Sequence, residues 1–260
     1  EIIKCDWSSD VCSSDLYNRI WVGSKSSPYS GTDRGGGRVL WSDDGVNWTI
    51  SNTLIDATNG RVTVAAAPSD SNYVYSFSEN KKGDNSTGIG GLCVIRKSVD
   101  NGVTWTDIAQ PDDADNGISA DDFTRTQAFY DQALMVDPNN PQTILIGGIN
   151  LFRSINGGTS WAQISKWANN ASMNTLNCSF VHADQHAIAF KPGSSSTAIF
   201  GTDGGIYYSS DLANAATTNS IVGRNNNFNV TQFYSAAINP TLGSSNYMAG
   251  AQDNGTQRFA

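Results

Sequence analysis

Basic residues are scarce in this 260-residue sequence, where 16 Lys and Arg stand against 24 Asp and Glu for a formal net charge of −8. Phosphate backbones and anionic membrane surfaces would be repelled, which excludes nucleic acid as a partner class. No apolar run approaches the roughly 20 residues that span a bilayer, and no charged start followed by an apolar stretch marks a signal peptide. Long amphipathic helical stretches are missing as well. Histidine occurs only twice and cysteine four times, and with two of the cysteines in the first 16 residues too few are left for a disulfide framework. What remains is rich in Gly, Ser, Asn, Thr and Asp, the profile of a turn-rich all-β chain.

The first 16 residues, EIIKCDWSSDVCSSDL, share nothing with the pattern downstream. Asp10 to Leu16 resembles the conceptual translation of a sequencing adaptor, so residues 1 to 16 are set aside as an artefact and 17 to 260 are read as the fold. Without them the balance is 20 acidic to 15 basic residues, or −5, and the acidic conclusion stands. Only Cys93 and Cys178 are then left, either a pair or two buried thiols.

One segment recurs. Ser98-Val-Asp100-Asn-Gly102-Val-Thr-Trp105 reappears as Ser154-Ile-Asn156-Gly-Gly158-Thr-Ser-Trp161 and, earlier, as Trp41-Ser-Asp43-Asp-Gly45-Val-Asn-Trp48. The Asp43, Asp100 and Asn156 positions are 57 and 56 residues apart. Its chemistry is that of a hairpin: Asp or Asn caps turn amides, Gly supplies a backbone angle that other residues resist, and Trp packs under the turn.

A second feature has the same period: an apolar strand, Pro, a polar turn and another apolar strand. Four of the seven prolines, Pro68, Pro138, Pro192 and Pro240, fall at this one repeat position. Proline suits a strand exit, where no ladder donor is needed. Together the features define a four-strand unit A, B, C, D, with the Pro turn between A and B and the Ser-x-Asp hairpin between C and D. That is one blade of a β-propeller. Blades are expected at 17 to 53 (strands B to D), 60 to 110, 130 to 166 and 183 to about 222 with a degenerate hairpin. A fifth opens at 231 to 260. This predicts four-stranded antiparallel blades in an incomplete ring of about four and a half, with the rest of the ring missing from the sequence.

The SxDxGxTW hairpin resembles the Asp-box, or BNR repeat, of sialidases, xyloglucanase-like glycoside hydrolases and sortilin-type receptors. The segments HADQHAIAFKP, GTDGGIYYSSD, QFYSAAINP and GAQDNGTQ resemble a bacterial subgroup of these proteins. The resemblance implies an exported, extracellular or cell-surface protein, glycoside-hydrolase-like or sortilin-like, with the Asp-boxes on the face away from any active site. The Arg-Ile-Pro signature of sialidases is not present.

Propeller geometry places strand A entries and B to C loops at the opposite, functional end. Both histidines lie there, in Val181-His182-Ala-Asp184-Gln-His186, and alternation along an extended chain puts His182, Asp184 and His186 on one side. The B to C loop of that blade carries Asp203, and the next blade offers Gln252-Asp253-Asn254. Two imidazoles flanking a carboxylate could hold a divalent metal such as Zn²⁺ or orient a base. Equally, Asp131-Gln132 and Thr231-Gln232 sit at corresponding positions, so these side chains could simply cap inner strands. Asp184 with Asp203 or Asp253 is the candidate catalytic pair of a glycoside hydrolase, with His182, His186, Gln252 and Asn254 as binding residues. Trp21, Trp41 and Trp167 are left uncommitted. The competing expectation is a non-catalytic propeller that binds a protein or glycan.

Overall fold

The computed structural model describes residues 12–16, 19–25, 36–51, 59–80, 93–118, 122–228, 231–251 and 255–259. Its residues divide into two units, Glu1–Arg224 and Asn225–Ala260.

Four antiparallel four-stranded sheets make up the first unit. They are β1 to β4 (Cys12–Leu16, Arg19–Gly23, Val39–Ser42, Thr49–Ile50) and β5 to β8 (Asn59–Ala66, Val74–Asn80, Cys93–Ser98, Thr106–Ile108). The third is β9 to β12 (Ala133–Val136, Ile144–Gly147, Leu151–Ser154, Ala162–Gln163), and the fourth comprises Gln185–Phe190, Ala198–Thr202, Gly205–Ser209 and Ile221–Gly223. Between the third and fourth sheets a parallel pair, β13 (Ser165–Lys166) and β14 (Ser179–Phe180), has no periodic signal to announce it. The fourth sheet is thus β15 to β18. In the second unit β19 (Phe233–Ile238), β20 (Tyr247–Ala251) and β21 (Thr256–Phe259) form a three-stranded antiparallel sheet. Each four-stranded sheet runs in simple A, B, C, D order, as the repeat predicts. The backbone of β1 lies inside the segment set aside for its resemblance to a translated adaptor, yet it pairs along β2 in the place of strand A. Ladder pairing uses backbone groups alone and is indifferent to where the segment came from.

Strands of the second and third blades are apolar on both faces because each of these blades is packed between two others. In β10, Ile144 and Ile146 join a core with Tyr75, Phe77 and Ile95 of the second blade, whereas Leu145 joins one with Ile188 and Phe200 of the fourth. Trp21 and Val39 pack likewise on Val62, Val64 and Val74. The two-residue alternation of a strand therefore divides its side chains between neighbouring blades. The inner strands β5, β9 and β15 lie side by side in that order.

The recurring hairpins latch these blades together. In the second blade Ser98 Oγ donates to Asp100 at 2.8 Å and accepts from Gly102 N at 2.8 Å, while Asp100 accepts from Thr104 N at 2.8 Å. Ser154, Asn156, Gly158 and Ser160 repeat the set. The tryptophans do more than pack under the turn. Trp105 Nε1 donates to Ser51 Oγ at the end of the preceding blade, and Trp161 Nε1 donates to the Ala109 carbonyl in the equivalent place.

The first hairpin departs from the ungapped alignment. Ser42 and Asp44, not Trp41 and Asp43, make its Ser–Asp–Gly contacts, with Gly45 N donating to Ser42 Oγ at 2.9 Å. This hairpin is one residue shorter than the others, because the left-handed position held by Asn101 in the second copy is absent. Asp43 is left to pair with Arg19 at 2.6 Å, and Trp48 is exposed. The fourth hairpin keeps Ser209 and Asp211, but Asp211 accepts from Asn214 inside a 3₁₀ turn, Leu212–Asn214. Cys93 and Cys178 are both buried and free.

Candidate functional site

In the fourth blade Gln185 pairs with Thr202, and Thr202 with Gly205, so the entry to β15 and the β16–β17 turn share one end of the blade. The predicted cluster is therefore brought together, although not by alternation. Asp184 has a left-handed backbone (φ 64°), and a bulge between Gln185 and Ala187 leaves His186 outside the ladder. Both interrupt the extended run that would have put His182, Asp184 and His186 on one side. Bulges re-aim side chains in this way.

His186 is aimed at the turn, where its Nε2 lies 2.6 Å from Asp203 Oδ1. Tyr130, from the loop entering the third blade, donates its hydroxyl to both oxygens of Asp203 at 2.9 and 3.1 Å and sets its ring edge-on to His186. Asp203 is thus fixed by side chains from two blades and does not cap its own turn, whose Gly204 N donates to Thr202 Oγ1 instead. Asp203 N donates to the Asp184 carbonyl at 3.2 Å, which ties the turn to the strand entry, and the Asp184 carboxyl accepts from Gln127 Nε2 at 3.3 Å. Burial, and then the charge of Asp203, push the Asp184 pKa up, with His186 and His182 acting in the opposite direction. A nearby like charge and burial both oppose ionisation of a carboxyl. His182 stacks instead over Gly204, where any Cβ would come within 2.3 Å of its ring, and its Nδ1 lies 3.0 Å from the Ala183 carbonyl.

Asp184 also forms part of the wall of a cleft of about 430 Å³ shared with Arg125, Thr126, Gln127, Phe129, Ile149, Trp167 and Ala183. Three of these, Arg125 (φ 53°), Thr126 (φ 63°) and Asp184, are non-glycine residues with left-handed backbones. Such conformations persist only where the surroundings enforce them, and they gather at functional sites. Asp122 enforces two of them by accepting from Thr124 N, Thr124 Oγ1 and Thr126 N. Asp115 holds Trp167, accepting its indole N–H at 2.9 Å and the Asn170 amide at 3.1 Å. Of the three uncommitted tryptophans, Trp167 lines the cleft, Trp21 is core, and Trp41 lies beneath the Arg19 guanidinium at 3.8 Å.

Asp131 is the residue that sequence reasoning undervalued. It is fully buried and neither carboxyl oxygen has a partner among the described residues. Burial foremost, with the charges of Asp184 and Asp122, pushes its pKa up to about 9. Its neighbour Gln132 is structural, tying Thr63 Oγ1 and the Arg61 carbonyl of the preceding blade, and Gln185 does the same for the Ile149 carbonyl. The Asp-Gln correspondence between Asp131-Gln132 and Asp184-Gln185 was the available signal. In each pair Gln binds the neighbouring blade, and Asp turns toward the cluster.

Gln252, Asp253 and Asn254 lie outside the described residues. Among the described residues no group of three His, Cys, Asp or Glu side chains is arranged to hold a metal ion. His182 and His186 are directed to different partners.

No protein-family model matches the chain, and no curated protein matches it. Among solved structures it is similar to a GH74 enzyme from Niastella koreensis (TM-score 0.51, 19% identity, 93% of this chain and 32% of that one). It is also similar to the GH74 xyloglucanase from Xanthomonas campestris (TM-score 0.49, 15% identity, 89% and 32%) and to an α-L-arabinanase from Penicillium chrysogenum (TM-score 0.45, 12% identity, 82% and 56%). The chain spans about a third of the length of the two GH74 structures. At these identities the likeness is one of fold, and the fold it shares with the first of them is a β-propeller.

Proposed function

We propose that this propeller works outside the cell and that its cleft beside Asp184 holds, and acts upon, a carbohydrate chain. The observation that carries the reading is a carboxyl with raised pKa in the wall of a cleft that also presents Phe129 and Trp167. Aromatic faces suit the apolar faces of sugar rings, while Gln127 and Arg125 offer donors for hydroxyls. The Asp-box resemblance, with its exported bacterial members, points the same way, as does a fold shared with a GH74 enzyme.

Burial, and then the charge of Asp203, raise the proton affinity of Asp184, so in this reading Asp184 is the acid. Asp184 faces the ligand, and Asp203 sets its proton affinity from behind. Glycoside hydrolysis also takes a second carboxylate, roughly 5 to 9.5 Å from the first.

The test is retention and hydrolysis on a panel of plant and microbial polysaccharides, measured by affinity electrophoresis and reducing-sugar release. Trp167→Ala is expected to lower retention at least several-fold, and Asp184→Asn to abolish release while leaving retention. Retention that survives Trp167→Ala undiminished would remove the cleft from carbohydrate binding.

A further inference from the structure

Among the described residues most of the cations are occupied. Arg19 and Arg96 pair with Asp43 and Asp107, and Arg61, Lys97 and Lys166 donate to backbone carbonyls. Arg125 differs. Its side chain is exposed in the cleft, and its guanidinium has no hydrogen-bond or ion-pair partner among the described residues. It is held there on a left-handed backbone beside Thr126, a β-branched residue for which that conformation is unfavourable, by the three hydrogen bonds that Asp122 accepts. A rigid, strained loop that presents an unpaired guanidinium beside an anchored Trp167 has the parts of a recognition site: a fork for an anion and a flat face for a ring.

We infer that the cleft selects a glycan bearing carboxylates, a uronate chain, with Arg125 gripping the sugar carboxylate and Trp167 underlying a ring. This rests on the carbohydrate reading above and narrows it. A guanidinium can serve a hydroxyl, but its planar fork matches a carboxylate with two charge-assisted bonds, which a neutral sugar does not offer. The net charge of −8 would keep polyanions off the rest of the surface, so a local cation inside the cleft supplies what the whole molecule does not. Among the described residues Asp115, Asp122, Asp131, Asp184 and Asp203 are the acidic groups nearby; Asp115 is taken up by Trp167 and Asn170 and Asp122 by its own loop, and the raised pKa values of Asp131 and Asp184 lower the opposing charge.

The experiment is calorimetric titration of the purified chain with galacturonate oligomers and with the same oligomers after reduction of their carboxyls to primary alcohols. The acidic oligomers are expected to bind roughly 10- to 100-fold more tightly, the usual range for a charge-assisted pair. Arg125→Gln should bring the two ligands to equal affinity, Arg125→Lys should retain part of the difference, and Trp167→Ala should weaken both. Unfolding temperatures unchanged in the two Arg125 variants verify the fold. Equal binding of both ligands by the wild type, with Trp167→Ala weakening both, would overturn uronate selection and leave the carbohydrate reading standing. A preference that survives Arg125→Gln overturns Arg125 as the partner. Binding of neither ligand overturns this inference together with the carbohydrate reading.

Discussion

Trp105 of the second blade donates its indole N–H to the hydroxyl of Ser51, just beyond the last strand of the first blade, at 2.9 Å. The same hairpin's Gly102 receives Trp21 of the first blade so closely that a Cβ there would lie 2.3 Å from the ring. The repeated hairpin is thus an inter-blade clamp, and its glycine and tryptophan act on the same neighbour. Gly102 combines this contact with a φ of 78°. We expect Gly102→Ala to destabilise by about 2 kcal/mol or more, from overpacking and backbone strain together. Trp105→Phe, which keeps the ring but not the donor, should cost about 1 kcal/mol. Chemical denaturation of both variants checks the ranking, and a larger loss for Trp105→Phe would contradict it.

The shortened first hairpin separates two adjacent carboxylates. Asp44 accepts from the Val46 and Asn47 amides and from the Asn47 side chain, and these bonds hold its pKa far below the ordinary carboxylate range. Asp43 meets Arg19 at the surface, where ion pairs contribute little. Thermal unfolding should therefore show a clear loss for Asp44→Ala and a smaller one for Asp43→Ala. The reverse order would restore the ungapped alignment.

Much of this architecture was legible in the sequence because hairpins and Pro turns are local. Ser98, Asp100 and Gly102 lie within five residues of each other, and their chemistry needs no distant partner. The site was legible only in part. Asp203 and His186 are 17 residues apart and join through a ladder that could be drawn from the repeat. Tyr130, which completes their network, comes from another blade, and the left-handed Asp184 and the bulge at His186 leave no periodic trace. Arg125 resembles any loop arginine until its Asp122 cap is seen.

Asp131 makes stability fall as pH rises. In the unfolded chain it ionises near the ordinary aspartate value of about 3.9, whereas in the fold it keeps its proton up to about 9. Below both values the two states bind the proton equally and there is no penalty. Between them the unfolded state alone releases it, so unfolding gains ground steadily with pH. Asp131→Asn removes this slope, and stability at pH 8 should rise by a few kcal/mol relative to wild type while changing little at pH 4. Denaturant midpoints for both proteins across pH 4 to 9 measure the difference. Parallel curves would mean that Asp131 is ionised in the fold.

The proton affinity of Asp184 has two separable causes, burial and the facing carboxylate of Asp203. Asp203→Asn deletes the second while leaving a side chain that can still meet Tyr130 and His186. The Asp184 pKa should then fall, because no like charge opposes its ionisation, but should stay above the ordinary value because the group remains half-buried. Carboxyl carbon chemical shifts followed by NMR in the wild type and the variant resolve the two contributions. If Asp203→Asn leaves the titration where it was, burial acts alone. If the pKa drops to the ordinary aspartate range, the facing charge is the whole cause. Only a partial fall agrees with a carboxyl that is both set into the cleft wall and backed by Asp203, the arrangement that would let Asp184 deliver a proton to a ligand lying across Trp167.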